Sequence, residues 1–520
     1  MGRPLAPMAA IVLVLACIAT SLSPSSAQER ARSGGVAKVA TIGEPPTLDP
    51  HSTTATLTYQ IAWHVVETLY TFDRNYEPIS MLADGHTVAD EGRRYTITLR
   101  RGVKFHNGKE LTSADVVASL ARWGKIHTTG KAVWKHVEAL EAKDPYTIII
   151  YLKAPTAGML FGLANPYGAI YPKDVVDVAG DGQVKQLVGT GPYRFVAHKP
   201  DRHIRLARFN DYVARSEEPN GYGGKRNAYL DEILFIPTPD VAVRLAGLET
   251  GDFHYASTIK QDHYERLKKL PAIEANIVKL GFWPVAVLNH KQGLMTSKSL
   301  RQALQAALKM EPAMAAAMGN REFYRLDGSL FPRELSWYST AGTDRYNQGS
   351  PGAARRLLNE ARYAGQPLRW MTTQEYDFMY KTAAVAKQQL EDVRFKVDLQ
   401  VVDWATLVQR RAKPELYDVF STSFPSFPDM LDPSFPTMLQ CDWPGWWCHE
   451  EKDRLLVQLG RETDVKKRKE LVDRIQTIFY EDVGRIKFGD AFGFHAARRE
   501  LRGDFRTRSA LTLWSAWLAR

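Results

Sequence analysis

Residues 89 to 123 read ADEGRRYTITLRRGVKFHNGKELTSADVVASLARW, and three structural instructions follow one another along them. Tyr95, Ile97 and Leu99 alternate with polar residues, a period of two that sets all three on one face of a strand. His106-Asn107-Gly108 then supplies a tight turn. Thr112 stands as an N-cap with Asp115 at the third helical position, a variant of the capping box that opens a helix running to Trp123.

The same grammar recurs outward from this block. DPYTIIIYL (144–152) is a β-branched and aromatic strand that starts after an Asp-Pro turn. SLRQALQAALK (299–309) places Leu300, Ala303, Leu304, Ala307 and Leu308 on one helical face. MYKTAAVAKQQLEDV (379–393) is a second amphipathic helix, and the strand RFKVDLQVV follows it. A third, in KRKELVDRIQTIFYEDV, aligns Leu471, Ile475 and Ile478. Helices and short strands alternate in both halves, which predicts α/β lobes with helix-covered sheets. At 520 residues the chain exceeds what one core usually serves, so two or three domains are expected.

The net charge of +10 is spread along the whole length and is read as a basic solvated surface, ahead of an affinity for acidic partners or an anionic membrane. No nucleic-acid motif is present. Near the N-terminus Arg3 precedes the apolar run Met8–Ala19, and Ser25-x-Ala27 follows. This pattern predicts a secretory signal peptide, residues 1–27, cut after Ala27. Lipid attachment at Cys17 competes with it, but that wants an aliphatic residue three before the cysteine and small ones between, a pattern Leu15 fits poorly. No later stretch has about 18 consecutive apolar residues. Export in soluble form is therefore expected. With Cys17 removed, Cys441 and Cys448 remain, in CDWPGWWC, and in an exported protein they predict a small disulfide loop. Zinc would need four ligands, and only His449 lies near.

An exported protein invites a search for hydrolytic parts. There is no G-x-S-x-G elbow and no H-E-x-x-H, and HEEKD (449–453) lacks the second histidine. The 13 histidines are scattered without pairing on a helix face. GTGPY (189–193) lacks the Lys-Ser/Thr ending of a phosphate loop and reads as a turn into the strand YRFVAH. SFPSFPDMLDPSFP (423–436) carries Asp429 and Asp432 three apart. Asp432-Pro433 is turn chemistry, whereas nothing in the local turn demands Asp429. A carboxylate-dependent hydrolase stays open here, without a third organising group.

The block at 89–123 resembles extracytoplasmic solute-binding proteins of family 5, the peptide- and nickel-type receptors of ABC importers. PPTLDP (45–50), VETLYTFD, GTGPYRF, NDYV, SLRQALQAAL and YDVFSTSF…DMLDP follow in the family's order, so the likeness spans nearly all of the chain beyond residue 27. It implies a two-lobed periplasmic-binding-protein fold with a hinged cleft between the lobes. The first lobe would comprise residues 36–69, 187–282 and 488–520, with an extra subdomain at 70–186; the second lobe would be 283–487. Hinge crossings are expected near LGFWPVAVLN and IKFGDAFGF.

The resemblance further implies a monomeric, non-enzymatic receptor without cofactor, catalytic residue or metal. It would bind a small solute or short peptide in the periplasm and dock on inner-membrane permease subunits. By spacing back from Asp432-Pro433, Asp429 is the residue that would receive a peptide's α-ammonium, and Tyr417–Phe424 the strand edge that would pair with its backbone. The expected contact set is Asp429, Ser421, Thr422, Ser423, Phe424, Phe427 and Trp404. The family's usual Trp before the aspartate is missing, and Phe424, Phe427 and DWPGWW add aromatic surface. Glycans, opines, nickel chelates and haem, carried by other members, are therefore alternatives to a peptide. Trp443, Trp446 and Trp447 either face the ligand or pack over the disulfide loop.

Overall fold

The computed structural model describes residues 1–2, 30–426, 438–503 and 510–519. Met8–Ala19 and Cys17 of the expected signal peptide lie outside the described residues, as do Phe427, Asp429 and Asp432.

Residues 89–123 fold as their pattern predicts. Arg94–Leu99 is a strand whose Tyr95, Ile97 and Leu99 are buried. Gly108 turns the chain at φ 86°, with its N–H donating to Phe105 O at 2.9 Å. The helix Ser113–Ile126 follows, and the Asp115 carboxylate accepts the Thr112 N–H at 2.9 Å, closing the capping box. The strand belongs to a four-stranded antiparallel sheet ordered Ala83–Ala89, Arg94–Leu99, Thr147–Leu152, Val137–Asp144.

A much larger sheet runs through the rest of the chain. On one side Val36–Thr41 lies parallel to both Glu232–Pro237 and Tyr255–Ala256. His203–Arg208 and Tyr193–Lys199 extend that side antiparallel. On the other side Val419–Pro425 is parallel to Pro367–Thr372, which is parallel to Lys396–Val401. The long strand Ile273–Leu288 joins the two. Its first half pairs with Asp490–Arg498 and its second half with Val419–Pro425. The register shifts between Val278 and Phe282, around Gly281, where a Cβ would come within 2.2 Å of Ala491 O. Only glycine lets the two backbones approach this closely. The segments expected to cross between lobes are thus neighbours in one sheet, and residue 283 falls inside a strand.

Three of the predicted helices bury the face their period sets. Lys298–Ala307 buries Leu300, Ala303, Leu304 and Ala307; Asp377–Asp392 buries Met379, Ala383, Ala386 and Leu390; Val465–Glu481 buries Leu471, Ile475 and Ile478. The turn in GTGPY packs on the 64–65 backbone, and a Cβ at Gly189 would sit 2.2 Å from Val65 O. PPTLDP anchors the small sheet's helix to the first part of the chain. Asp49, fully buried, meets Arg122 Nη2 at 2.6 Å and accepts the Val184 N–H at 3.0 Å and the Tyr171 hydroxyl at 3.2 Å.

Candidate functional site

A cleft of about 840 Å³ separates the two sides of the molecule, within the range of small-molecule and peptide sites. Thr54, Thr128, Thr129, Ala132, Asn165 and Tyr167 line it from the N-terminal side. Tyr376, Met379, Trp404, Arg411, Thr422, Ser423, Phe424, Met438 and Trp443 line it from the other.

The second wall is built on the strand Val419–Pro425. The Pro367–Thr372 strand pairs with it only at Val419 and Phe420, whereas Ile273–Leu288 follows it along its whole length. From Ser421 to Pro425 one edge therefore has no strand neighbour among the described residues, and its ladder groups are free to meet an extended chain. Trp404 opens the helix Trp404–Arg410, held by Asp403, whose carboxylate accepts the Thr406 N–H at 2.8 Å. Its ring stands edge-on to Tyr376 at 5.0 Å.

Of the expected contact set, the cleft brings together Trp404, Thr422, Ser423 and Phe424. Ser421 is absent from its lining. It is 2% exposed, and its hydroxyl accepts the Trp370 indole N–H at 2.9 Å. Phe427 and Asp429 lie outside the described residues.

Cys441 and Cys448 form the disulfide, Cα atoms 4.4 Å apart, and the loop they close gives its three tryptophans three different duties. Trp443 faces the cleft, 5.4 Å from the Phe424 ring. Trp446 stacks on Tyr417 in a hollow beside the disulfide, under the Lys291 ammonium. Trp447 is fully buried and donates its indole N–H to Asp482 at 2.8 Å. Trp443 thus stands in the cleft lining, whereas Trp447 packs in the core beside the disulfide loop.

Sequence reasoning missed Arg411, the one charged residue among the described lining. Its guanidinium lies 5.8 Å over the Trp443 ring, and no described carboxylate is within ion-pair distance. Burial draws its pKa below the usual arginine range, so a counter-charge in the cleft would be welcome. In QRRAKPE nothing singles Arg411 out from its neighbours. Thr128 and Thr129, which open the short helix Thr128–Trp134, and Asn165 and Tyr167, which lie in a turn, were missed because they come from the far wall and carry no motif.

Among the described residues no three His, Cys, Asp or Glu converge as metal ligands, and no helix is long and apolar enough to cross a membrane. Over residues 77–446 the chain matches the bacterial extracellular solute-binding proteins, family 5 Middle. The chain belongs to this family. A probable peptide ABC transporter periplasmic-binding protein of Sinorhizobium fredii is 25% identical over 471 residues, 88% of each chain. The oligopeptide-binding protein AppA of Bacillus subtilis is 26% identical over 514 residues, covering 91% of this chain and 90% of that one. The solved ABC transporter substrate-binding protein CtaP of Listeria monocytogenes superposes with a TM-score of 0.80 at 21% identity, over 94% of this chain and all of its own. The two-lobed architecture of this family 5 chain follows from that agreement.

Proposed function

We propose that the chain is the substrate-binding subunit of an ABC importer, taking a peptide or peptide-like solute in the cleft and delivering it to an inner-membrane permease. The observation that carries this reading is the cleft itself, with lining from both sides of the chain and an unpaired strand edge at Ser421–Pro425. Relatives named as peptide- and oligopeptide-binding proteins support the ligand class. An extended backbone would add as a strand to the free edge, while Arg411 would receive a carboxylate and Asp429 an ammonium. Closure would be favoured by ligand because contacts to both walls exist only when the walls approach. The hinge would run through Leu280–Asn289 and Ile486–Phe494, with 70–186 as the extra subdomain, and residues 1–27 would direct export to the periplasm.

The test is native mass spectrometry of the purified protein, followed by calorimetry with the ligand found. A bound peptide whose affinity drops at least ~10-fold in Asp429→Ala is the expected result, the size of one charge-assisted hydrogen bond. Unchanged affinity removes Asp429 from the site, and a bound glycan or metal chelate removes the peptide. The rings of Tyr376, Trp404 and Trp443 favour a ring-bearing solute as the second reading.

A further inference from the structure

Asn165 and Tyr167 of the cleft wall also line a second hollow, of about 200 Å³. Its other walls are aromatic: Tyr59, Trp63, Phe72, Tyr76, Phe161 and Tyr222. These rings hold one another in place around the space. Trp63 stacks on Tyr222 at 5.0 Å, Phe72 meets Phe161 at 4.8 Å, and Tyr59 stands edge-on to Tyr167 at 5.3 Å. Trp63 is fixed from behind, where Trp514 donates its indole N–H to Trp63 O at 2.9 Å. An engineered apolar cavity of ~150 Å³ takes up benzene, so this hollow has room for a substituted ring.

Two polar groups separate it from a packing defect. Trp63 is 3% exposed, and its indole N–H has no hydrogen-bond partner among the described residues. The hydroxyl of the half-buried Tyr59, in the same wall, makes no hydrogen bond among them either, and burial, with the neighbouring Tyr222 and Tyr167, pushes its pKa up. A buried donor left without an acceptor costs about 1–3 kcal/mol, which an acceptor arriving with a ligand would recover. No charged side chain among the described residues lines the hollow, so a carboxylate or ammonium would find no described counter-charge there.

We infer that this hollow is a side-chain subsite of the cleft, taking from the bound solute an aromatic ring that carries one hydrogen-bonding oxygen, a phenol of the tyrosine type. Trp63 would donate to the oxygen and Tyr59 would share its proton, while the surrounding rings pack the face and edges. The identity of the molecule that brings the ring rests on the peptide-receptor reading; the subsite itself does not.

The test therefore begins with p-cresol, with toluene as control, added to the whole mature protein and followed by saturation-transfer NMR. Wild type should bind p-cresol and prefer it to toluene. Ala510→Leu, which extends a lining residue into the space, should weaken p-cresol on the order of tenfold. Tyr59→Phe, which keeps the ring, should shrink the preference over toluene, and it carries the test if Ala510→Leu does not fold. A wild type that ignores p-cresol, or a folded Ala510→Leu that binds it equally, overturns the inference. Calorimetry then compares tyrosine- and alanine-containing versions of one peptide. A tyrosine preference lost in Ala510→Leu supports the subsite in its full role, whereas p-cresol binding without any peptide binding leaves the subsite standing and removes the peptide reading.

Discussion

Replacing Asp49 by Leu tests how the PPTLDP segment ties the first part of the chain to the helix Ser113–Ile126. The Asp49 and Arg122 side chains are 0% and 3% exposed and 2.6 Å apart. Arg122 also donates Nε to Gly180 O at 2.8 Å, so its charge cannot swing out to water without breaking the loop around Gly180. Removing one partner of such a buried pair costs about 3–5 kcal/mol, because the other charge is left uncompensated. For a folding unit of 150–250 residues each kcal/mol moves the midpoint by roughly 2–4 °C, so a fall of about 6–20 °C is expected. Removing both charges in Asp49→Leu with Arg122→Met should recover part of the loss. Full recovery is not expected, since the Val184 N–H and Tyr171 hydroxyl still lack their acceptor. Burial works to raise the Asp49 pKa, and the Arg122 hydrogen bond and the Val184 N–H outweigh it, leaving the carboxyl below its usual value. This contribution is accordingly present above the unfolded pKa of about 3.9 and is lost only as pH falls through the lower folded value. Urea and thermal unfolding followed by circular dichroism at pH 7 read all three proteins. A single variant within about 1 kcal/mol of wild type, or a double variant less stable than Asp49→Leu, refutes the reasoning.

Three further outcomes are expected. Burial holds His51 at about 3 and His64 and His106 at about 4, so the unfolded chain takes up protons first; stability should be full above pH 7 and fall from ~6.5 towards 4, by at most about 4 kcal/mol per unit. A flat urea midpoint between pH 6.5 and 4.5 would show that these imidazoles are not neutral in the fold. Arg411→Leu should weaken a carboxylate-bearing ligand by ~10–150-fold and its amidated analogue little, and equal losses in calorimetry would mean that Arg411 only shapes the wall. Reducing the Cys441–Cys448 bridge, which spans a sequence separation of 7, should lower stability by about 2.5 kcal/mol on chain-entropy grounds, and an unchanged urea midpoint in dithiothreitol contradicts that.

What the sequence by itself determined was local and periodic. Tyr95, Ile97 and Leu99 bury because alternation is intrinsic to a strand, and the Thr112–Asp115 cap forms because its partners are three residues apart. The family order of motifs placed Thr422, Ser423 and Phe424 on one strand, and Cys441 and Cys448, in CDWPGWWC, form the expected bridge. The tertiary structure decided which sides those residues face. Ser421 turns inward because the strand is covered by Trp370, and Trp447 is core while Trp443, four residues before it, is cleft. Arg411 matters only because the fold sets it over Trp443 with no described acid nearby, a relation between residues 32 apart. The aromatic hollow joins Tyr59, Phe161, Tyr222 and Ala510, which no spacing rule connects. Periodicity reports the environment of a residue relative to its own element; a binding site is made where elements distant in sequence meet, and that meeting is set by the packing of the whole chain.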